Sequence, residues 1–164
     1  MERPILLLGD PRLYQVSTPV PHNADIRGIV QDLHDTLMAY RGKYGAGRAI
    51  AAPQIGVPTR ILYMHIDRPV VFLNPVLTFP DDAVFEVLDD CMSFPGLYVR
   101  VLRHKRCEIA YEDAHRQPQI MRLEGDLSEL LQHEYDHLDG ILATMRAIDN
   151  RSLFMKPLSL QGVC

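Results

Sequence analysis

Apolar positions along this chain follow three regimes. In residues 1–22 they show little period, and four prolines (Pro4, Pro11, Pro19, Pro21) interrupt them. That stretch reads as an extended arm lying over a domain, with a turn at Gly9-Asp10-Pro11. From Ala24 the pattern becomes helical. Ile26, Ile29, Val30, Leu33, Leu37 and Met38 make one stripe, with Asp32, His34, Asp35 and Arg41 away from it. The spacing predicts a helix over 24–40, stopped by Gly42 and by Gly45-Ala46-Gly47, with His34 on the wet face and without a role. Between Thr59 and Leu123 short apolar runs alternate with turns, predicting strands at 60–64, 70–73, 76–79, 84–88, 98–102, 108–111 and 120–123. Pro69, Pro75, Pro80 and Pro95 punctuate them, and a polar hairpin loop begins at Glu112-Asp113.

A second helical stretch closes the pattern. Leu127, Leu130, Leu131 and Leu138 recur at helical spacing, and Gly140 supplies a left-handed stop. Asp126, with Glu129 three residues later, has the form of an N-cap and capping box. One short strand-like piece and Lys156-Pro157, expected at the surface, follow it. Strands this closely spaced leave no room for crossover helices. The class is therefore α+β: mostly antiparallel sheets packed around a C-terminal helix. There is no repeat, low-complexity segment or linker, so residues 1–164 read as a single domain.

Composition narrows the picture. A hydrophobic share of 47% with 23% charged residues is ordinary for a soluble globular protein. A net charge of −4 gives no electrostatic reason to expect nucleic acid. No apolar run approaches the ~18–20 residues that span a bilayer, and Ile5-Leu6-Leu7-Leu8 is shorter than a signal-peptide core. Three cysteines (Cys91, Cys107, Cys164) are an odd number at wide spacing, which argues against a disulfide framework. Without an export signal the expected compartment is the reducing cytoplasm, where a thiolate is available to a metal.

The second helix carries the chemistry. His133-Glu134-Tyr135-Asp136-His137 sets two imidazoles four residues apart, one turn above the other on one face. Glu134 stands beside them, within reach of a water held there. Two neutral imidazoles next to a general base are the parts from which hydrolases build a metal-activated water. Two surface histidines on a charged helix are the competing reading, which the spacing, the intervening Glu and the apolar helix together reverse.

The third ligand is less local. The sixth residue after His137 is Ala143, and residues 138–164 contain no Glu and no His. Asp139 stands at the wrong angle, while Asp149 and Cys164 stay open without a supporting pattern. Upstream, Cys91 sits in the polar, turn-like Asp89-Asp90-Cys91-Met92-Ser93-Phe94-Pro95-Gly96. It is the favoured ligand, because a thiolate and two imidazoles leave one position open for catalysis. Cys107, in a strand, reads as a small buried hydrophobe. The small, apolar segment 47–56 fits equally a close backbone approach by a ligand and a tight packing contact.

Taken in order, three segments resemble the peptide deformylase family, over essentially the whole chain. The Gln-His-Glu-x-Asp-His-Leu-x-Gly signature is complete from Gln132 to Gly140. The Gly-φ-Gly-φ-Ala-Ala-x-Gln segment is matched by Gly47-Arg48-Ala49-Ile50-Ala51-Ala52-Pro53-Gln54, and Glu-Gly-Cys-φ-Ser by Asp89-Asp90-Cys91-Met92-Ser93. Gly9-Asp10-Pro11 and Ser17-Thr18-Pro19-Val20 are similar to the family's N-terminal arm. The resemblance implies that Cys91, His133 and His137 bind one divalent ion, Fe(II) in the native setting and Zn(II) or Ni(II) after isolation. It implies that Glu134 takes a proton from water and returns it to the leaving amine. Gln54 would donate its amide to the oxyanion, helped by the backbone N–H of Met92. Gly47, Arg48, Ala49, Ile50 and Asp90 would border the substrate.

That substrate would be the N-formyl group of formyl-methionine on a nascent chain, met at the ribosome exit and released as formate by a monomer or homodimer. Two segments depart from the pattern. Ala49 replaces Gly, with charged Arg48 at an apolar position; a methyl there is expected to narrow the groove, or to cost ~0.5–1 kcal/mol if positive φ is required. Asp89-Asp90 replaces Glu-Gly, and Asp90 is expected to sustain a left-handed turn while adding a charge. Two alternatives follow: a related amidase for another N-formyl or short N-acyl amine, or a non-catalytic, metal-stabilised binding protein. Intact Glu134 and Gln54 argue against the latter.

Overall fold

The computed structural model describes residues 1–155, so Lys156, Pro157 and Cys164 lie outside the described residues. The first helix, α1, spans Arg27–Tyr44 and both begins and ends later than its apolar stripe predicts. Gly42 does not stop it, because a lone glycine costs a helix interior only ~1 kcal/mol. The left-handed stop is Gly45 (φ 67°), whose N–H donates to Arg41 O at 2.8 Å. The Arg41 guanidinium caps the turn further, donating to Gly47 O at 3.0 and 2.7 Å.

Among the described residues eight strands follow in chain order: β1 Ala49–Ala51, β2 Ile61–His65, β3 Pro69–Thr78, β4 Val84–Asp89, β5 Leu97–His104, β6 Arg106–Glu112, β7 Pro118–Glu124 and β8 Leu153–Met155. β1 lies in the small-residue segment, where alternation is too short to read as a strand. Pro75 does not divide β3 in two. The register with β6 shifts between Leu73 and Val76, a bulge that tolerates proline. Asn74 adopts φ 48° there, and its side-chain amide clamps the backbone of Val20 at 2.7 and 2.9 Å.

Five strands pair in the order β1-β2-β3-β6-β7 and three in the order β4-β5-β8, every pairing antiparallel. β2 shows how the larger sheet is buried. Ile61 and Tyr63 face a core with Leu33 and Leu37 of α1; Leu62 and Met64 face the opposite core with Phe72, Leu130, Leu131 and Leu138. The sheet is thus covered by α1 on one face and by the second helix, α2 (Asp126–Leu138), on the other.

The N-terminal arm packs over this assembly through backbone bonds. Leu6 N–H donates to Gln54 O (2.8 Å), Leu8 N–H to Ser93 O (2.7 Å) and Ser17 N–H to Leu138 O (2.8 Å). At the expected turn, Asp10 caps a single 3₁₀ turn, Pro11–Tyr14, accepting from Arg12 N–H at 3.0 Å. His34 does not lie on the wet face. It is half-buried, with Nδ1 2.7 Å from the hydroxyl of Tyr63.

Candidate metal centre and active site

α2 begins without the expected capping box. Its N-cap is Gly125, at φ 62°, with Asp126 already inside the first turn. The acidic pair still complements the helix N-terminus electrostatically, but both side chains face Arg48, at 2.9 Å from Asp126 and 3.7 Å from Glu129. Gly140 (φ 70°) ends the helix as predicted, and tightly: a Cβ on it would lie 2.5 Å from Tyr14 O.

One turn apart on this helix, His133 and His137 place their ring centroids 5.0 Å from each other. Cys91, in the turn after β4, brings Sγ to 3.4 Å from His137 Nε2. The three ligand atoms lie within 4.8 Å of one another and all three residues are buried. Cys107 is buried in β6 among apolar neighbours, and burial pushes its thiol pKa up. Asp139 turns away to Arg60, at 2.7 Å.

Gln54 is fully buried across from the cluster. Its Oε1 accepts from Ala51 N–H (2.8 Å), which aims Nε2 at Cys91 Sγ (3.4 Å) and Ser93 Oγ (3.2 Å). Glu134 is buried, and its Oε2 has no hydrogen-bond partner among the described residues. Burial raises its carboxyl pKa to about 7, against the opposing pull of His133.

The sequence reading missed Asp89 and Arg103. Asp89 Oδ1 lies 2.8 Å from His133 Nδ1, leaving Nε2 of that ring to face the cluster. The buried Arg103 donates to Asp89 (2.8 Å) and to Asp136 (2.5 Å), and Arg146 holds both oxygens of Asp136 at 2.6 Å. A signal existed: Val99, Val101 and Arg103 occupy successive inward positions of β5, and a charge on an inward position requires a partner. Burial would raise the Asp89 carboxyl, but His133 and Arg103 override it and hold it at about 2. Burial opposes charge on both imidazoles. At His133, Asp89 and Cys91 outweigh it and raise the pKa well above the ordinary value; at His137, burial and His133 together push it well below.

The residues fit a metal ion. Anionic groups that draw a proton to His133 draw a cation equally, and thiolate with imidazole suits iron, zinc or nickel rather than magnesium or calcium. A cavity of about 360 Å³ opens on the cluster, lined by Tyr40, Gly47, Arg48, Ala49, Gln54, Asp90, Cys91, Met92, Glu129, His133 and Glu134 among others. A larger one, about 750 Å³, lies beside His34, Tyr63 and the β6–β7 hairpin and contains none of these groups.

Of the two departures, Ala49 stands in the cavity wall, where its methyl narrows the groove, while the backbone expectations for Ala49 and Asp90 do not hold. Ala49 lies in extended β1 and its methyl packs in the α2-side core, so no positive φ is at stake. The position that needs it is Gly47 (φ 115°), where a Cβ would come 3.2 Å from Leu37 Cδ1. Asp90 is not left-handed either; among the described residues only Asn74 and Arg116 are non-glycines with positive φ. Ile50 turns its side chain into the α1-side core rather than the cavity.

A soft three-donor cluster, a buried carboxyl beside it and an oriented amide across from it define a metal-dependent hydrolase site. Residues 2–152 match the family described as polypeptide deformylase. Over 150 residues the chain is 39% identical to the peptide deformylase of Rhizobium meliloti (strain 1021), spanning 85% of this chain and 82% of that one. The solved peptide deformylase from Legionella pneumophila superposes with a TM-score of 0.84 at 30% identity, covering 93% of this chain and 89% of that one. For the enzyme from Thermus thermophilus the values are 0.80, 35%, 89% and 86%. The chain belongs to the polypeptide deformylase family.

Proposed function

We propose that this enzyme's reaction, hydrolytic removal of the N-formyl group from nascent polypeptides, runs at the Cys91–His133–His137 centre with Glu134 and Gln54 in direct roles. Cys91, His133 and His137 would hold a divalent ion, which would supply Lewis acidity to the site. Glu134 takes a proton from the attacking water and later delivers it to the amine nitrogen as the C–N bond breaks, giving formate and a free N-terminus. A carboxyl pKa near neutrality suits both steps. Gln54 Nε2 donates to the oxyanion, assisted by the backbone N–H of Met92; one such donor is worth ~2.7–4 kcal/mol of barrier. Asp89 and Arg103 touch no reacting atom. They set a carboxylate, itself fixed by the Arg103 guanidinium, 2.8 Å from His133 Nδ1.

The observation that carries this reading is the position of Glu134 and Gln54 in the wall of the same cavity as Cys91 and His133. A metal that only stabilised the fold would need neither. The resident ion is Fe(II), the substrate is formyl-methionine on a chain leaving the ribosome, and the compartment is the cytoplasm; the family resemblance and the donor set support these choices. Formate release from formyl-Met-Ala peptides by Fe(II)-loaded protein tests the reading. Glu134→Ala should lower turnover by roughly 10²–10⁴-fold with metal content unchanged. Release from other formyl or acetyl amines but not from these peptides would move the assignment to a related amidase. Metal retention without hydrolysis of any amide would refute both.

A further inference from the structure

On the reading above, the formyl carbon sits against the cluster end of the 360 Å³ cavity. The first residue's side chain leaves the backbone only a few bonds away, so it must enter the remainder of that cavity. The wall there is not apolar. Arg48 and Glu129 stand in it, together with Tyr40, Leu130 and Met92. Glu129 lies one helical turn before His133, on the same face of α2, and its side chain is only 13% exposed. Arg48, with its side chain 41% exposed, approaches it to 3.7 Å, too far for a hydrogen bond, while another guanidinium nitrogen is held by Asp126 at 2.9 Å. Glu129 therefore retains acceptor capacity, and the five N–H donors of Arg48 exceed what Asp126 takes.

We infer that Arg48 and Glu129 determine which first residue the enzyme prefers, favouring a side chain that ends in a hydrogen-bonding group over an apolar one of similar length. An apolar side chain filling this space expels water from the pair and returns no hydrogen bond, which leaves partly buried charges underpaired. A terminal amide offers an acceptor to Arg48 and a donor to Glu129; a sulfoxide offers a strong acceptor to Arg48. The thioether of methionine is a weak acceptor and falls between. The expected order is glutamine and methionine sulfoxide, then methionine, then norleucine.

The test compares four formyl-peptides that differ only in that first side chain, using metal-loaded protein and formate release. The sulfoxide should exceed norleucine in kcat/KM by about tenfold or more, the scale on which pocket contacts discriminate. In the Arg48→Met/Glu129→Leu protein that ratio should collapse or invert, and Glu129→Gln, which keeps the shape, should reduce it. The same ranking should appear in calorimetric Kd values for the four peptides on metal-loaded Glu134→Ala protein, which needs no turnover. A wild-type preference for norleucine, or an unchanged ratio in folded, metal-loaded variants, would overturn the inference. Absence of formate from all four peptides would instead refute the deformylase reading, and the calorimetric ranking would still decide the role of the pair.

Discussion

The two helices cover opposite faces of one sheet by different means. α1 buries Leu33, Thr36 and Leu37 and fully buries no charged side chain. α2 buries Leu130, Leu131 and Leu138, and with them Ser128, Gln132, His133, Glu134, Asp136 and His137. Apolar burial is non-directional, so it fixes which face of α1 is inward but tolerates small rotations. Buried polar groups tolerate little, since each needs a partner at a set angle. Gln132 bonds the backbone of His104 in both directions (2.9 and 2.8 Å), and Asp136 takes Arg103 and Arg146. α1 contributes stability; α2 is held in rotation and register, which is what a pair of metal-binding imidazoles requires.

The contrast can be broken most forcibly at Asp136. Asp136→Ala removes one of the two carboxylates that pair the buried Arg103 and should cost roughly 3–5 kcal/mol in urea unfolding; a loss under about 1 kcal/mol would mean that the buried network does not hold α2. Leu33→Ala on α1 should cost ~2–5 kcal/mol through its cavity, yet leave metal stoichiometry unchanged in the folded protein. Reduced stoichiometry there would erase the distinction between the helices. Asp89→Asn removes a charge facing His133 without changing shape, and should weaken metal binding by roughly 10–100-fold in a chelator competition. The smallest effect belongs to Gly42→Ala. Its Cβ would meet nothing within 4 Å, so the variant should gain ~0.5–1 kcal/mol in thermal unfolding with metal affinity untouched.

What could be read from the sequence was what is local. The stripe of α1 and the four-residue spacing of His133 and His137 are properties of neighbours on one helix. So is the stop at Gly140. Cys91 was reached because no ligand pattern stood downstream of the helix and its own neighbours were polar. What escaped depends on segments meeting across the fold. Asp89 becomes a partner of His133 only when β4 lies beside α2, and Arg103 only when β5 carries it between two carboxylates. Glu129 had the spacing of a capping acid; the chain's entry through Gly125 and the approach of Arg48 gave it a place in the cavity instead. Pro75 misled for the converse reason, because Asn74, anchored to Val20, lets a bulge absorb it.

The hydrogen bonds of the N-terminal arm carry a consequence for the order of synthesis. Leu6, Leu8 and Ser17 are synthesised before the residues whose carbonyls accept from them, Gln54, Ser93 and Leu138. The last of these is made only after β1 to β7 and most of α2 have been translated. The arm is therefore made before the segments it ties together and can dock fully only after all of them have emerged. Until then the segments bearing Cys91, Gln54 and the two histidines lack their common brace.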